Sequence, residues 1–149
     1  MEISVIVSGH PLWDKTISFA QNCSWKAGPY LAKKMRDNEF EEAERVIVAT
    51  DNDTPVGYCT FSLKDELPED SKYSAFIGFI FVDENYRGMR ISEKMIAAAA
   101  DHAKSAGYKT VYILSGEKGL YEKFGFEKIG DIKTIYGTEE QLFAKRLAY

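Results

Sequence analysis

Two short segments hold residue types that could do chemistry together. The first is Val82-Asp83-Glu84-Asn85-Tyr86-Arg87-Gly88-Met89-Arg90-Ile91-Ser92, which joins an apolar stretch to a helical one. A helix N-terminus presents unpaired N–H groups and partial positive charge, so it is a ready site for an anion. Arg87 and Arg90 add cations, and Ser92 can cap the helix or give its hydroxyl to a phosphate. A ligand carrying a pyrophosphate would fit this turn. The alternative is a solvated turn with exposed arginines, because the segment has neither the Walker A pattern nor a three-glycine dinucleotide fingerprint. The second segment is Gly119-Leu120-Tyr121-Glu122-Lys123-Phe124-Gly125-Phe126. A tyrosine on a short helix just after a strand can point its hydroxyl along a crevice; otherwise it packs under the last hairpin.

These segments need elements to position them. Ala75 to Val82 is a continuous apolar run, the pattern of a strand buried on both faces. Asp83 to Ile91 reads as a polar turn, and Ser92 to Ala106 as a helix. Its stripe is Ile91, Met95, Ala98, Ala99, His102, Ala103 and Ala106, and Gly107 stands at its C-terminal end. Val111 to Leu114 is a further buried strand. Phe126 to Tyr136 and Gln141 to Leu147 can close the sheet as a pair. Upstream, Arg45 to Ala49 and Val56 to Leu63 read as a hairpin about the turn Asp51-Asn52-Asp53-Thr54. Lys64 to Lys72 is a charged loop. The first forty residues read as helical, with Leu12, Thr16, Phe19 and Ala20 in one set, Tyr30, Leu31, Lys34 and Met35 in another, and Gly28-Pro29 between them. The order predicts a mixed α/β fold with a βαβ unit at its centre.

Composition sets the limits. A chain of 149 residues is expected to form a single domain, 1–149, and can bury roughly two-thirds of its unfolded surface. A net charge of -4 argues against nucleic acid bound by bulk charge. Hydrophobic residues at 45% and charged residues at 28% suit a globular chain. No run approaches the roughly 18 apolar residues of a membrane span, so no membrane is expected. The opening MEISVIVSGHPLW lacks the basic and apolar regions of a signal peptide, so a cytoplasmic setting is expected. Cys23, Cys59, His10 and His102 offer neither a disulfide framework nor metal-ligand spacing, so no metal is expected.

Taken together, Val82, Tyr86-Arg87-Gly88 and Ile91 before a helix, then Leu120-Tyr121-Glu122-Lys123-Phe124-Gly125-Phe126, resemble the GNAT superfamily of acyl-CoA N-acyltransferases. The resemblance covers most of the chain in element order. The family's first motif usually reads Gln/Arg-x-x-Gly-x-Gly/Ala. Arg87 matches it and Gly88 follows at a variable position, whereas Arg90 stands where Gly is usual and Ser92 where the final Gly/Ala stands. Arg90 takes a positive φ less readily than Gly. An α-like turn there would keep its N–H groups on the ligand, with the Arg90 side chain swung out or bonded to a phosphate.

The resemblance implies a central mixed sheet, splayed and flanked by helices, with acetyl-CoA as cosubstrate. It implies that Arg87, Gly88, Met89, Arg90, Ile91 and Ser92 hold the pyrophosphate, and that the backbone of Ile80, Phe81 and Val82 pairs with the pantetheine arm. A main-chain N–H near Phe81 would polarise the thioester carbonyl, and Tyr121 would be the general acid for the departing thiolate. Gly78 suits a close approach to that strand, by a ligand or by a bulky neighbour. The acceptor would be the primary amine of a small molecule or peptide. Its base is open: the central strand carries no carboxylate, and Asp65, Glu66 and Ser115 are the nearby candidates.

Trp13, Trp25, Tyr30 and Phe40, with Asp37, Glu39, Glu41, Glu42 and Glu44, would suit a cationic amine, or are core aromatics beside a solvated helix end. Cys59 reads as a structural thiol, His102 as a packed histidine and His10 as a loop residue. Phe143, Leu147 and Tyr149 could meet a partner in a homodimer or cover the domain's own core. Other classes stay open: a CoA-binding sensor or partner domain without catalysis, a small nucleotide- or phosphate-binding protein, and a thiol hydrolase at Cys59.

Overall fold

Alternation of apolar side chains on two neighbouring strands sets the layers. In β2 (Arg45–Asp51), Val46 and Val48 point to one side and Ile47 and Ala49 to the other, all fully buried. In β3 (Thr54–Ser62), Tyr58 joins the first side and Cys59 and Phe61 the second. Strands apolar on both faces must be covered on both faces. Each fully buried Val or Ile is worth about 1.5–3 kcal/mol. In the computed structural model, which describes residues 1–148, the first side is covered by α1 (Trp13–Asn22) and α2 (Gly28–Arg36). The second is covered by α3 (Ile91–Ser105), through Ile91, Met95, Ile96, Ala99 and Ala103.

The seven-stranded sheet completes itself with β1 (Glu2–Ile6), β4 (Phe76–Val82), β5 (Thr110–Ser115), β6 (Glu127–Lys133) and β7 (Glu139–Arg146), in the order β1-β2-β3-β4-β5-β7-β6. All neighbours are antiparallel except β4 and β5, which are parallel and joined through α3. The architecture is the mixed α/β sheet flanked by helices that the sequence predicts. One expectation fails. Residues 2–6 are a strand, not part of a helical region, because Ile3, Val5 and Ile6 lie in register with Ala49, Ile47 and Val46 of β2. Three β-branched residues in five favour a pleated edge, and the partner strand supplies the ladder.

Several side chains settle into the structural alternatives. The His102 ring, Nε2 2.7 Å from the Ala43 carbonyl, stands edge-on to Phe61 and is a packed histidine. Cys59 is buried, and burial pushes its thiol well above the usual range. Phe143 is buried and Leu147 packs beside it, so both cover this chain's own core; Tyr149 lies outside the described residues. The loop between β3 and β4 is anchored at a distance. Leu67 is buried against Phe76 and Leu142, and Ile135 N–H, from the turn between β6 and β7, donates to the Glu66 carbonyl at 2.7 Å. No helix among the described residues is long and apolar enough to cross a membrane.

Candidate active site

The central apolar run is two things at once. Phe76 and Ile77 at its start are buried, but Gly78, Phe79 and Ile80 are only half-buried because they open onto a cleft. β4 and β5 pair at one position, Phe76 with Tyr112, reinforced by the Tyr112 N–H donating to the Ala75 carbonyl at 2.9 Å. Beyond it the strands part, which is the splay the resemblance implies. The cleft between them holds about 880 Å³.

A bulge shapes the β4 wall. Tyr58 pairs with Phe81 and Thr60 with Gly78, so Cys59 alone stands opposite Phe79 and Ile80. Phe79 takes φ +48° to make this possible. A non-glycine residue there is strained by roughly 1–2 kcal/mol, and such bulges re-aim a strand beside a site. Ile80, Phe81 and Val82 line the cleft along the side β5 has vacated.

At the C-terminal end of β4 the chain makes a 3₁₀ turn, Glu84–Tyr86, capped by the Asp83 carboxylate on Asn85 N–H at 2.9 Å. The Tyr86 hydroxyl donates to Asp51 at 2.9 Å and pins the turn to β2. Gly88 then takes φ +83°, and Arg90 takes φ +59° and ψ +27°. The α-like alternative for Arg90 is therefore corrected: its backbone adopts the left-handed shape a glycine would have given. With Gly88, this leads the chain from the 3₁₀ turn into α3. Arg90, not Ser92, is the N-cap residue, and Ser92 lies within the first turn. The N–H groups of Ile91, Ser92 and Glu93 have no carbonyl within the helix and no capping side chain, and Ile91 and Ser92 line the cleft.

Arg87 stacks over Phe81 at 5.9 Å, and its Nε donates to the Val82 carbonyl at 3.2 Å. Arg90 is exposed and 3.8 Å from Glu93. Met89 is exposed and does not line the cleft; Gly88, Arg90, Ile91 and Ser92 do. Helix N–H donors, two left-handed residues and two guanidiniums form a donor set suited to a diphosphate.

Tyr121 lies on the β5 side of the cleft, 6% exposed, with edge contacts to Phe124 and Phe143. Both sequence alternatives are thus true of it: it is packed, and it faces the crevice. Burial raises its phenol above the ordinary range; a hydrogen bond with Ser115 opposes this, and Glu117 and Cys59 add to the rise. The phenol therefore keeps its proton at neutral pH and can donate it.

The opposite end of the cleft comes from scattered segments. Trp25, between α1 and α2, stacks parallel on Phe81 at 6.0 Å and stands edge-on to Phe79 at 6.1 Å. Asp65 and Glu66, from the β3–β4 loop, reach the same end, and Glu117 lies beyond β5. Trp25 is the member of the aromatic group that reaches the cleft. Trp13 is buried, donates to the Met35 carbonyl at 3.3 Å and meets Phe40 edge-on. Tyr30 is exposed. Asp37 and Glu39 flank Lys33, and Glu44 accepts the N–H groups of Glu41 and Leu63, both at 2.8 Å. The Asp37–Glu44 cluster is thus solvated or structural, and the acidic groups of the cleft come from elsewhere. Sequence reasoning missed Glu117; its one signal was its place just after a strand facing the Tyr121 segment.

Residues 12–126 match the acetyltransferase (GNAT) family model. A spermine/spermidine N(1)-acetyltransferase of Bacillus subtilis (strain 168) is 31% identical over 84 residues, 52% of this chain and 55% of that protein. The match thus spans about half the length of that relative. An aminoglycoside 6'-N-acetyltransferase from Enterococcus faecium superposes with a TM-score of 0.74 at 16% identity, covering 100% of this chain and 98% of the other. A GNAT family N-acetyltransferase from Escherichia coli in complex with CoA does so with 0.72 at 23%, covering 99% and 81%. At these identities the solved structures speak for the fold.

Proposed function

The chain belongs to the GNAT acetyltransferase family, and from that premise we propose that it transfers the acetyl group of acetyl-CoA to a primary amine of a small molecule or peptide by direct attack in a ternary complex. The observation that carries this is the cleft itself. It joins an anion-binding helix N-terminus at one end to a buried, protonated tyrosine and a carboxylate-bearing pocket at the other. In this reading Arg87, Arg90 and the N–H groups from Gly88 to Ser92 hold the pyrophosphate, with Met89 contributing backbone alone. The strand edge of Ile80, Phe81 and Val82 lies along the pantetheine arm, and an N–H beside the bulge polarises the thioester carbonyl. Tyr121 gives its proton to the departing sulfur. The spermine, spermidine and aminoglycosides named for the similar proteins are amines, and Trp25, Asp65 and Glu66 suit a cation. Two unpaired cysteines fit a reducing compartment, so the reading places the chain in the cytoplasm.

Two measurements test this together: calorimetric titration with acetyl-CoA, and thiol release with a panel of spermidine, a simple monoamine, an aminoglycoside and a short peptide. Binding with amine-dependent release is the expected result. Binding without release would favour a CoA-binding sensor domain. No binding at millimolar acetyl-CoA would end both readings.

A further inference from the structure

Nucleophilic attack needs a neutral amine, so a proton must leave the ammonium next to β4. That strand, FIGFIFV, has no group to take it. It has instead a gap at Gly78, and the gap is filled from outside. A Cβ placed on Gly78 would lie 2.9 Å from Asp65 Oδ2 and 3.7 Å from Thr60 Oγ1. We propose that Asp65 is the proton acceptor for the amine, delivered by the β3–β4 loop into the space that Gly78 leaves open on the central strand. This rests on the acetyl-transfer reading above.

Three features fit Asp65 for the task. Its two oxygens have separate work: Oδ1 accepts the Glu66 N–H at 2.7 Å, which fixes the carboxyl plane, and Oδ2 faces Gly78. Its loop is held by buried Leu67, by Ile135 N–H on the Glu66 carbonyl and by Ser74 Oγ on the Leu63 carbonyl. Its position is right. Gly78 lies on the far side of the bulge from Val82, roughly 12 Å along the strand from the anion end, beside the cavity that Trp25 also lines.

The charged neighbours of Asp65 are Glu66 on its own loop and Lys34 on α2. β3 presents the neutral Thr60 hydroxyl and β4 presents no titratable group; Glu117 and Tyr121 stand on the far wall. Burial pushes the Asp65 carboxyl up to about 6; the Glu66 N–H bond opposes this, the Glu66 charge adds to it and Lys34 lowers it. Asp65 is therefore ionised at neutral pH yet more basic than an ordinary carboxylate, as a general base should be. Glu66 and Glu117 also line the cleft but are exposed.

The proton balance closes. One ammonium proton goes to Asp65 Oδ2 and on to solvent. The nitrogen lone pair forms the C–N bond as the C–S bond breaks. Tyr121 protonates the sulfur and is reprotonated, through solvent, by the second proton the nitrogen loses.

The test uses the panel amine that the wild type turns over fastest. Asp65→Asn should lower kcat about 10²-fold while leaving acetyl-CoA affinity within about twofold. The pH profile of kcat/KM should change form. The wild type levels off above about pH 6, whereas Asp65→Asn keeps rising toward the amine's own pKa. Asp65→Ala with Gly78→Asp, which supplies a carboxylate from the strand itself, should recover about tenfold over Asp65→Ala alone. Thermal melts confirm that each variant folds. An active wild type with Asp65→Asn unchanged in kcat and in pH profile overturns the proposal, as does an effect confined to the KM of the amine. A wild type that binds acetyl-CoA but releases no thiol overturns the transfer reading first, so the two failures are distinguishable.

Discussion

The two ends of the cleft are built by opposite means. The anion end is one contiguous stretch, Val82 to Ser92, and its donors are mostly main chain: helix N–H groups exposed by left-handed turns at Gly88 and Arg90. The acceptor end is assembled from Trp25, Asp65 and Gly78, which come from three separate segments and act through side chains or the lack of one. The first should respond to changes in backbone geometry, and the second to changes in functional groups.

Substitutions can break or sharpen that contrast. The largest effect should come from Tyr121→Phe, which keeps the ring packed and removes one proton. Turnover should fall about 10²-fold or more, with acetyl-CoA affinity unchanged by calorimetry. Gly88→Val forces a β-branched residue to φ +83°. It should weaken acetyl-CoA binding roughly tenfold while sparing the KM of the amine. Asp65→Asn should show in stability. The folded carboxyl titrates near 6, above its unfolded value of 3.8, so its ionisation opposes folding. That penalty is absent below the unfolded value, grows as pH rises between the two, and is complete above about 6. Chemical denaturation at pH 8 should therefore find Asp65→Asn more stable by about 1–2 kcal/mol, discounted for partial exposure, and no gain at pH 3.5. Trp25→Leu should raise the KM of a cationic amine about fivefold and leave acetyl-CoA affinity alone. The smallest effect belongs to Arg90→Gly, which keeps the left-handed turn and removes an exposed cation. Acetyl-CoA affinity should change by less than about threefold. A tenfold loss there would mean that the Arg90 guanidinium carries more of the binding than the turn does.

The same contrast explains what was legible in the residues. Arg87-Gly88 and the helix after it are local signals, so the anion end could be read from one window. Tyr121 was legible because Leu120 to Phe126 is also contiguous. The conformation of Arg90 was not, because the left-handed step into α3 is set by the path of the chain from the 3₁₀ turn, whatever side chain stands there. β1 was missed because five residues of weak alternation mean little without Val46 to Thr50 beside them. Asp65 was one charged loop residue among several. It reaches Gly78 through Leu67 and Ile135, contacts that only the folded chain makes.

The parting of β4 from β5 has a mechanical side. A continuous ladder would spread load over many hydrogen bonds, but here two halves of the sheet meet at Phe76 and Tyr112. β1 to β4 have α3 along one face. β5 to β7 are held to them by Val111, Ile113, Phe126 and Phe143 in the shared core and by Leu142 against Leu67 and Phe76. The seam is thus joined by one paired position and by the side chains packed across it, rather than by a ladder of hydrogen bonds. A ligand laid against both edges would act as a stitch across the seam, so that the population of separated halves falls as the concentration of whatever fills the gap rises.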